Sequence, residues 1–335
     1  MSFPRRPGSL RHPPRPLRVV LLGLGNVGRG VFERLRADPA RFEVVRAVVR
    51  DPARHAATGV PARVLSTNPW DAVNVTADVV VEALGGESPA TGILHAALLR
   101  GRRVVSANKL AVVAGWPALR PWAEGEAPRL RFSAAVGGEV PVIETLLGLV
   151  RHDAVRRLRG VLNGTCNFVL DRIAAGVDYA AALAQAQALG FAEPDPTADV
   201  SGLDAECKLR LAAWAAFGRW PDTLERTGIE NTRNARRAGD GAALRLVAEL
   251  ETVDDRLVGR VTPQWCPPED YLAGARGEEN RVEIVTGSGE RIHLAGRGAG
   301  RWPTTASVLG DLDAVWQEHA ARGEHGFQGW RVATA

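Results

Sequence analysis

A short apolar run, Leu17 to Leu22 (LRVVLL), passes straight into Gly23-Leu24-Gly25-Asn26-Val27-Gly28, and a helical pattern continues through Leu35. A GxGxxG set between a buried strand and a helix leaves few folds open. Its glycines allow a tight turn and let a pyrophosphate approach the first N–H groups of the helix, which are unpaired donors at the positive end of the helix dipole. A glycine-rich turn without a ligand is the weaker reading in that context. The fold class is therefore α/β, with a Rossmann-type doubly wound nucleotide-binding domain and with Gly23, Gly25, Asn26, Val27 and Gly28 as its cofactor-binding loop. A second strand, Phe42 to Val49, ends in Arg50-Asp51. Arginine there suits a 2′-phosphate and an acid suits ribose hydroxyls, so Arg50 favours NADP while Asp51 keeps NAD open.

Three more strands follow on the same plan. Asp78 to Leu84 leads into Gly85-Gly86, at the expected nicotinamide end, and Ile93 to Arg100 is helical. Arg103 to Ser106 places Ala107-Asn108-Lys109 at a strand's carboxyl end, where open α/β sheets bind ligands. Arg129 to Phe132 closes this half, giving a nucleotide-binding domain over residues 17–133 after a leader at 1–16 that is rich in proline and arginine and reads as disordered.

The second half, residues 134–301, has a different pattern. Ala135 to Pro141 (AVGGEVP) is a glycine loop that suits either oxygen ligation of a hard cation or a hinge. Val155 to Leu162 is a strand entering Asn163-Gly164-Thr165-Cys166-Asn167, a polar turn and a candidate substrate loop. Cys166 reads as a packing residue, since no histidine lies near it in sequence. Short alternating strands at Leu244–Leu250, Leu257–Val261, Arg281–Val285 and Ile292–Ala295 predict an antiparallel sheet covered on one face by two helices, one leading into the acidic stretch described next and one following it. Together these make an α+β substrate and dimerisation domain. Gly296 to Gly300 then returns the chain, over 302–335, to the nucleotide-binding domain.

The chemistry concentrates between Ala186 and Lys208, where five acidic residues and one lysine surround two prolines and two glycines. An alanine-rich helix, Ala180 to Leu189, ends at Gly190, and Pro194 and Pro196 place Glu193, Asp195 and Asp199 on an ordered turn. Ser201 fits as N-cap of a helix from Leu203 to about Phe217, with Leu203, Leu209, Leu211, Trp214 and Phe217 turned inward. Asp204 and Lys208, four apart, share one face of it. An ordinary solvent-facing ion pair has the same spacing. Of 42 basic residues, however, only Lys109 and Lys208 are lysine, which suggests that these two positions need a compact amine able to lose a proton.

Composition removes several function classes. The hydrophobic content is 45%, and no apolar run approaches the length of a membrane span, roughly 18 residues. The net charge of +4 is concentrated in the arginine-rich leader, so nucleic acid is not an expected partner. The leader lacks an apolar signal segment, which gives a cytoplasmic expectation. Cys166, Cys207 and Cys266 have neither disulfide-framework nor zinc spacing.

With these residues assembled, the chain resembles the homoserine dehydrogenase family from about Leu17 to Ala314, through GLGNVG, SANK, VGGEVP, GVLNGTCNF and the acidic stretch. In the last, Ala186, Gly190, Asp195, Pro196, Asp199, Gly202, Asp204 and Lys208 satisfy the family pattern without a gap. The resemblance implies reversible, NAD(P)-dependent oxidation of L-homoserine to L-aspartate 4-semialdehyde, a step toward threonine and methionine, by a homodimer. It makes Lys208 the proton donor and acceptor, with a pKa lowered by burial or a second cation, and has Lys109 orient the substrate oxygen beside the cofactor and share in proton transfer. Substrate contacts fall to Glu193, Asp199, Asp204, Gly164 and Thr165, and cofactor contacts extend to Gly300. The family's sodium ion would take backbone carbonyls of Val136, Gly138 and Val140, although the position three residues before Val136, often glutamate, is Ser133. A C-terminal regulatory module is not expected from the length that remains, so threonine inhibition through one is not expected either.

Overall fold

The computed structural model describes residues 14–232 and 241–323. Most of the leader and the residues after Gly323 lie outside the described residues. Arg15, which belongs to the expected leader, is fixed by two bonds of 2.7 Å from its guanidinium to Asp78.

The first sheet contains β1 (Leu17–Leu22), β2 (Phe42–Val48), β3 (Leu65–Ser66), β4 (Val79–Glu82), β5 (Arg103–Ser106) and β6 (Leu130–Arg131), in the order β3-β2-β1-β4-β5-β6. Every neighbouring pair is parallel. Strands buried on both faces need apolar runs rather than alternation, and β1 and β4 supply them: Val19, Val20, Val79 and Val80 are all fully buried. Strand order reverses between β1 and β4, which opens a crevice at their carboxyl ends.

The second sheet has β7 (Val155–Val161), β8 (Thr223–Arg226), β9 (Ala243–Val253), β10 (Arg256–Cys266), β11 (Glu279–Thr286) and β12 (Arg291–Arg297), in the order β12-β11-β7-β9-β10-β8. The expected antiparallel sheet is present, with one exception: β8 joins the edge parallel to β10. Its sequence, TLER, is mostly exposed and has too little apolar content to be seen as a strand beforehand. Strands β9 and β10 form one hairpin, turned by Asp254 and Asp255 at φ 48° and 62°, the left-handed backbone that a two-residue hairpin loop uses.

Two helix expectations change. The helix Tyr179–Ala188 packs on the helix Gly164–Ala174, and it is the latter that joins Leu203–Phe217 in covering β9. Ser201 is not the N-cap of the long helix; it closes a short helix, Thr197–Val200, and Gly202 at φ 78° precedes the long helix instead. Asp199 accordingly sits in a helical turn, because Pro196 is tolerated at the entry to a helix even though it would break the interior of one.

The helix Leu203–Phe217 was expected to turn one face inward, yet Ala205, Leu209, Leu211, Ala212, Ala213 and Ala216 are all buried. It runs between the second sheet and the helices Lys109–Ala114 and Val142–Leu149. Small alanines let all of these neighbours approach. Trp214 near its end meets Trp116 edge-on at 5.3 Å between ring centres and also Phe132 at 5.6 Å, an aromatic contact across the two halves. From Arg301 to Gly323 a last helix packs on the helix Asn26–Arg36.

Candidate active site

The glycine loop after β1 is built for close backbone approach. Gly23 has φ 96°, and a Cβ there would lie 2.7 Å from the Ala83 carbonyl oxygen. A Cβ on Gly28 would collide with the carbonyl of Gly23, whereas one on Gly25 would meet nothing within 4 Å. Gly25 thus faces open space at the N-terminus of the helix Asn26–Arg36, which has no side-chain cap. A dinucleotide pyrophosphate fits that arrangement. Gly30, not singled out in the sequence, serves packing: a Cβ there would run into Thr305 Oγ1 of the last helix.

At the end of β2, Asp51 accepts a bond from the Arg54 N–H and so caps the short helix Pro52–Ala56. Arg50 beside it is exposed. Gly300 lies at φ 112°, a backbone state that strongly favours glycine.

Lys109 is the first residue of the helix Lys109–Ala114, for which Asn108 is the N-cap, accepting from the Ala111 N–H. Its ammonium group lies 2.8 Å from Asp204 Oδ1. Asp204 Oδ2 is 2.7 Å from the Lys208 ammonium, one turn further along the long helix. Lys208 also donates to the Leu162 carbonyl at 2.6 Å, at the point where β7 enters the polar turn. One carboxylate therefore stands between the chain's two lysines. Burial opposes a charge on Asp204, yet Lys208 and Lys109 together hold its carboxyl well below the usual range. Asp204 in turn raises the Lys109 pKa above its ordinary value, against burial. The charge nearest the Lys109 ammonium group is thus a carboxylate.

Asn163 completes the arrangement, and the sequence argument passed over it in favour of the next two residues. Its side-chain amide donates to Asp204 Oδ2 at 2.8 Å and to Asp199 Oδ1 at 2.7 Å, while its oxygen caps the helix Gly164–Ala174 by accepting from the Cys166 N–H. An asparagine heading a polar turn was the available signal. Gly164 is a close-approach glycine, with Glu278 Cα only 2.9 Å from where a Cβ would stand. Thr165 donates its hydroxyl to the Phe191 carbonyl at 2.6 Å and so ties this turn to the start of the acidic stretch. Glu193 differs from these residues: it is exposed on that stretch, whereas Asp204 and Lys208 are buried. Cys166 is fully buried, and burial pushes its thiol well up, which fits packing rather than nucleophilic chemistry.

Just before the glycine loop, Ser133 donates its N–H and its hydroxyl to Asp311, at 3.0 and 2.9 Å. Ser133 brings no charge, and its polar groups are directed at that carboxylate. Val136 and Val140 are buried, and Gly138 at φ 64° packs on the backbone of Gly298.

A sequence model described as homoserine dehydrogenase matches residues 141–312, and one described as the NAD-binding domain of homoserine dehydrogenase matches residues 23–133. The homoserine dehydrogenase of Mycobacterium tuberculosis is 36% identical over 316 residues, spanning 89% of this chain and 72% of that protein. This chain belongs to the homoserine dehydrogenase family. Among solved structures, a homoserine dehydrogenase from Thiobacillus denitrificans superposes with a TM-score of 0.82 at 33% identity, over 93% of this chain and 75% of that one. A hyperthermophilic archaeal homoserine dehydrogenase in complex with NADPH shares the fold, with a TM-score of 0.76 at 22% identity over 90% of this chain and 98% of that one. The family is one of NAD(P)-dependent oxidoreductases, and both matched domain models fall on the halves that the two sheets define. Among the described residues no helix is long and apolar enough to cross a membrane.

Proposed function

We propose that the chain interconverts L-homoserine and L-aspartate 4-semialdehyde with NADP, in the synthesis of threonine and methionine, and that Lys208 gives and takes the hydroxyl proton. The observation that carries this reading is the pair of lysines on a single buried carboxylate, with Lys109 at the carboxyl end of a strand of the cofactor-binding sheet. The bound nicotinamide supplies or accepts the hydride at the terminal carbon. As the alcohol is oxidised its proton needs an acceptor, and in the reverse direction a donor. Lys208 is held by Asp204 and the Leu162 carbonyl, so its nitrogen is fixed in place before substrate arrives. Lys109 orients the substrate oxygen.

The substrate ammonium group is assigned to Asp199 and Glu193. Asp199 gives one oxygen to Asn163, and Glu193 stands exposed on the segment before the short helix that carries Asp199, from which it would meet the ammonium group on the solvent side. Arg50 is assigned to the 2′-phosphate of NADP, supported by its exposure and by the use of Asp51 as a helix cap. A sodium ion on the carbonyls of Val136, Gly138 and Val140 and a homodimer through the second sheet complete the proposal.

The test is nicotinamide absorbance with L-homoserine, using NADP and NAD separately, on the native chain and on Lys208→Arg. Arginine preserves the charge and cannot act as a base at working pH. Native turnover that collapses in the variant, with cofactor binding retained, supports the assignment. A folded, cofactor-binding chain that turns over with neither nucleotide overturns it.

A further inference from the structure

Glu82, the last residue of β4, is fully buried at the centre of the sheet. Its Oε1 accepts from the Leu84 N–H at 2.8 Å and from the Asn108 amide at 3.1 Å, and Oε2 accepts from the Ser106 hydroxyl at 2.7 Å. The Gly85 N–H also bonds to this carboxyl, and burial acts to raise its pKa. All these partners are neutral and all donate; the Leu84, Gly85 and Asn108 groups can do nothing else, and an amide in place of the carboxylate would suit Ser106 only if that hydroxyl accepted and turned its own proton away. The same Asn108 amide donates to the Gly86 carbonyl at 2.6 Å, and its N–H bonds Ser106 Oγ at 3.1 Å. One buried acid therefore connects the Gly85–Gly86 turn at the mouth of the crevice with the N-cap of the helix that begins at Lys109. A buried carboxylate without a cation is costly to a sheet that valine would fill as well.

We propose that Glu82 is a positioning residue that acts through Asn108 to fix Lys109, and with it the Gly85–Gly86 turn, for reaction. This rests on the role assigned to Lys109 above. In the Glu82→Gln protein the amide nitrogen either faces the Leu84 and Asn108 donors or donates to Ser106 Oγ and strips that hydroxyl of its acceptor, and either change loosens the hold on Asn108, whose N–H also bonds Ser106 Oγ. Asn108→Ser is the second variant, because serine still caps the helix but lacks the bridging amide.

The experiment measures kcat and KM for homoserine oxidation, NADP affinity and thermal unfolding for Glu82→Gln, Asn108→Ser and Lys109→Met, and for each of the first two combined with the third. The native chain is run alongside, so absence of native turnover identifies failure of the function reading itself. Glu82→Gln and Asn108→Ser should each lower kcat about 100-fold while cooperative unfolding is retained, and each should have little further effect in the Lys109→Met background. Effects that multiply fully with Lys109→Met, or a kcat left unchanged, overturn the proposal. A fully active Lys109→Met protein overturns it together with the role of Lys109. Should Glu82→Gln not fold, the Asn108→Ser cycle decides by the same criteria.

Discussion

The ammonium group of Lys109 lies 2.8 Å from the carboxylate of Asp204, although one follows a strand of the cofactor-binding sheet and the other sits on a helix packed against the second sheet. The link sets the electrostatics of the site. Of the chain's two lysines, Lys208 is the more enclosed, with 11% of its side chain exposed against 29% for Lys109. Lys109 is thus the more accessible of the two.

Replacing Lys208 by arginine should lower kcat by about 100- to 10,000-fold, the range associated with loss of a positioned acid or base. The matched measurement is NADP affinity by fluorescence titration, which should change little. A variant retaining more than a tenth of native turnover would move the proton-transfer role elsewhere.

Asp204→Asn leaves two ammonium groups without their carboxylate, and should destabilise the protein by about 3 kcal/mol near neutral pH. The pH sign follows from the depressed carboxyl: its stabilisation is present above about pH 4 and is lost as pH falls below that value. Native stability should therefore decline more steeply than that of the variant on going from pH 5 to pH 3 in urea titrations. Because Asp204 raises the Lys109 pKa, the alkaline limb of the pH–rate profile should move to lower pH in the variant if protonated Lys109 is required.

Burial pushes the Asp311 carboxyl up to about 7, against the bonds from Ser133. A carboxyl raised in the folded state contributes stability that is fully present below its unfolded value, near 4, and is lost as pH rises through 7. Asp311→Asn keeps an acceptor for the Ser133 N–H and should flatten this dependence, so its melting temperature relative to native should improve between pH 5 and pH 8. A parallel shift at both pH values would count against the argument.

Gly30→Ala drives a methyl group into Thr305 at the contact of the first and last helices. Overpacking of this kind costs about 1–3 kcal/mol. Thr305→Ala removes the hydroxyl that the methyl meets first, so the double variant should recover part of that loss in thermal unfolding.

Arg50→Ala should reduce kcat/KM for NADP by about 10- to 100-fold, the value of a charge-assisted bond to a phosphate, and leave NAD turnover nearly unchanged. Equal losses with both nucleotides would remove Arg50 from the 2′-phosphate.

The nucleotide-binding half was readable because its constraints are local. A strand, a glycine turn and a helix in immediate succession satisfy one another within a few residues, and Gly190 and the helix Leu203–Phe217 came out for the same reason. Strand β8 did not, since TLER has no apolar alternation and takes its place only through the edge that β10 offers. Ser201 was misassigned because residue preference at a cap cannot see that Gly202, in a left-handed conformation, already turns the chain.

Sequence by itself determined the glycine loop, the i,i+4 spacing of Asp204 and Lys208, and the selection of Lys109 and Lys208 by their rarity. Only the tertiary structure decided that Lys109 reaches Asp204, that Asn163 joins Asp204 to Asp199, that Thr165 turns to Phe191, and that Glu193 is exposed. Helical periodicity fixes which residues share a face over a turn or two, and no such rule extends across a domain. The distance between a strand end and a helix of another layer is set by everything packed between them, here alanines small enough to let the long helix lie against the helix that Lys109 begins.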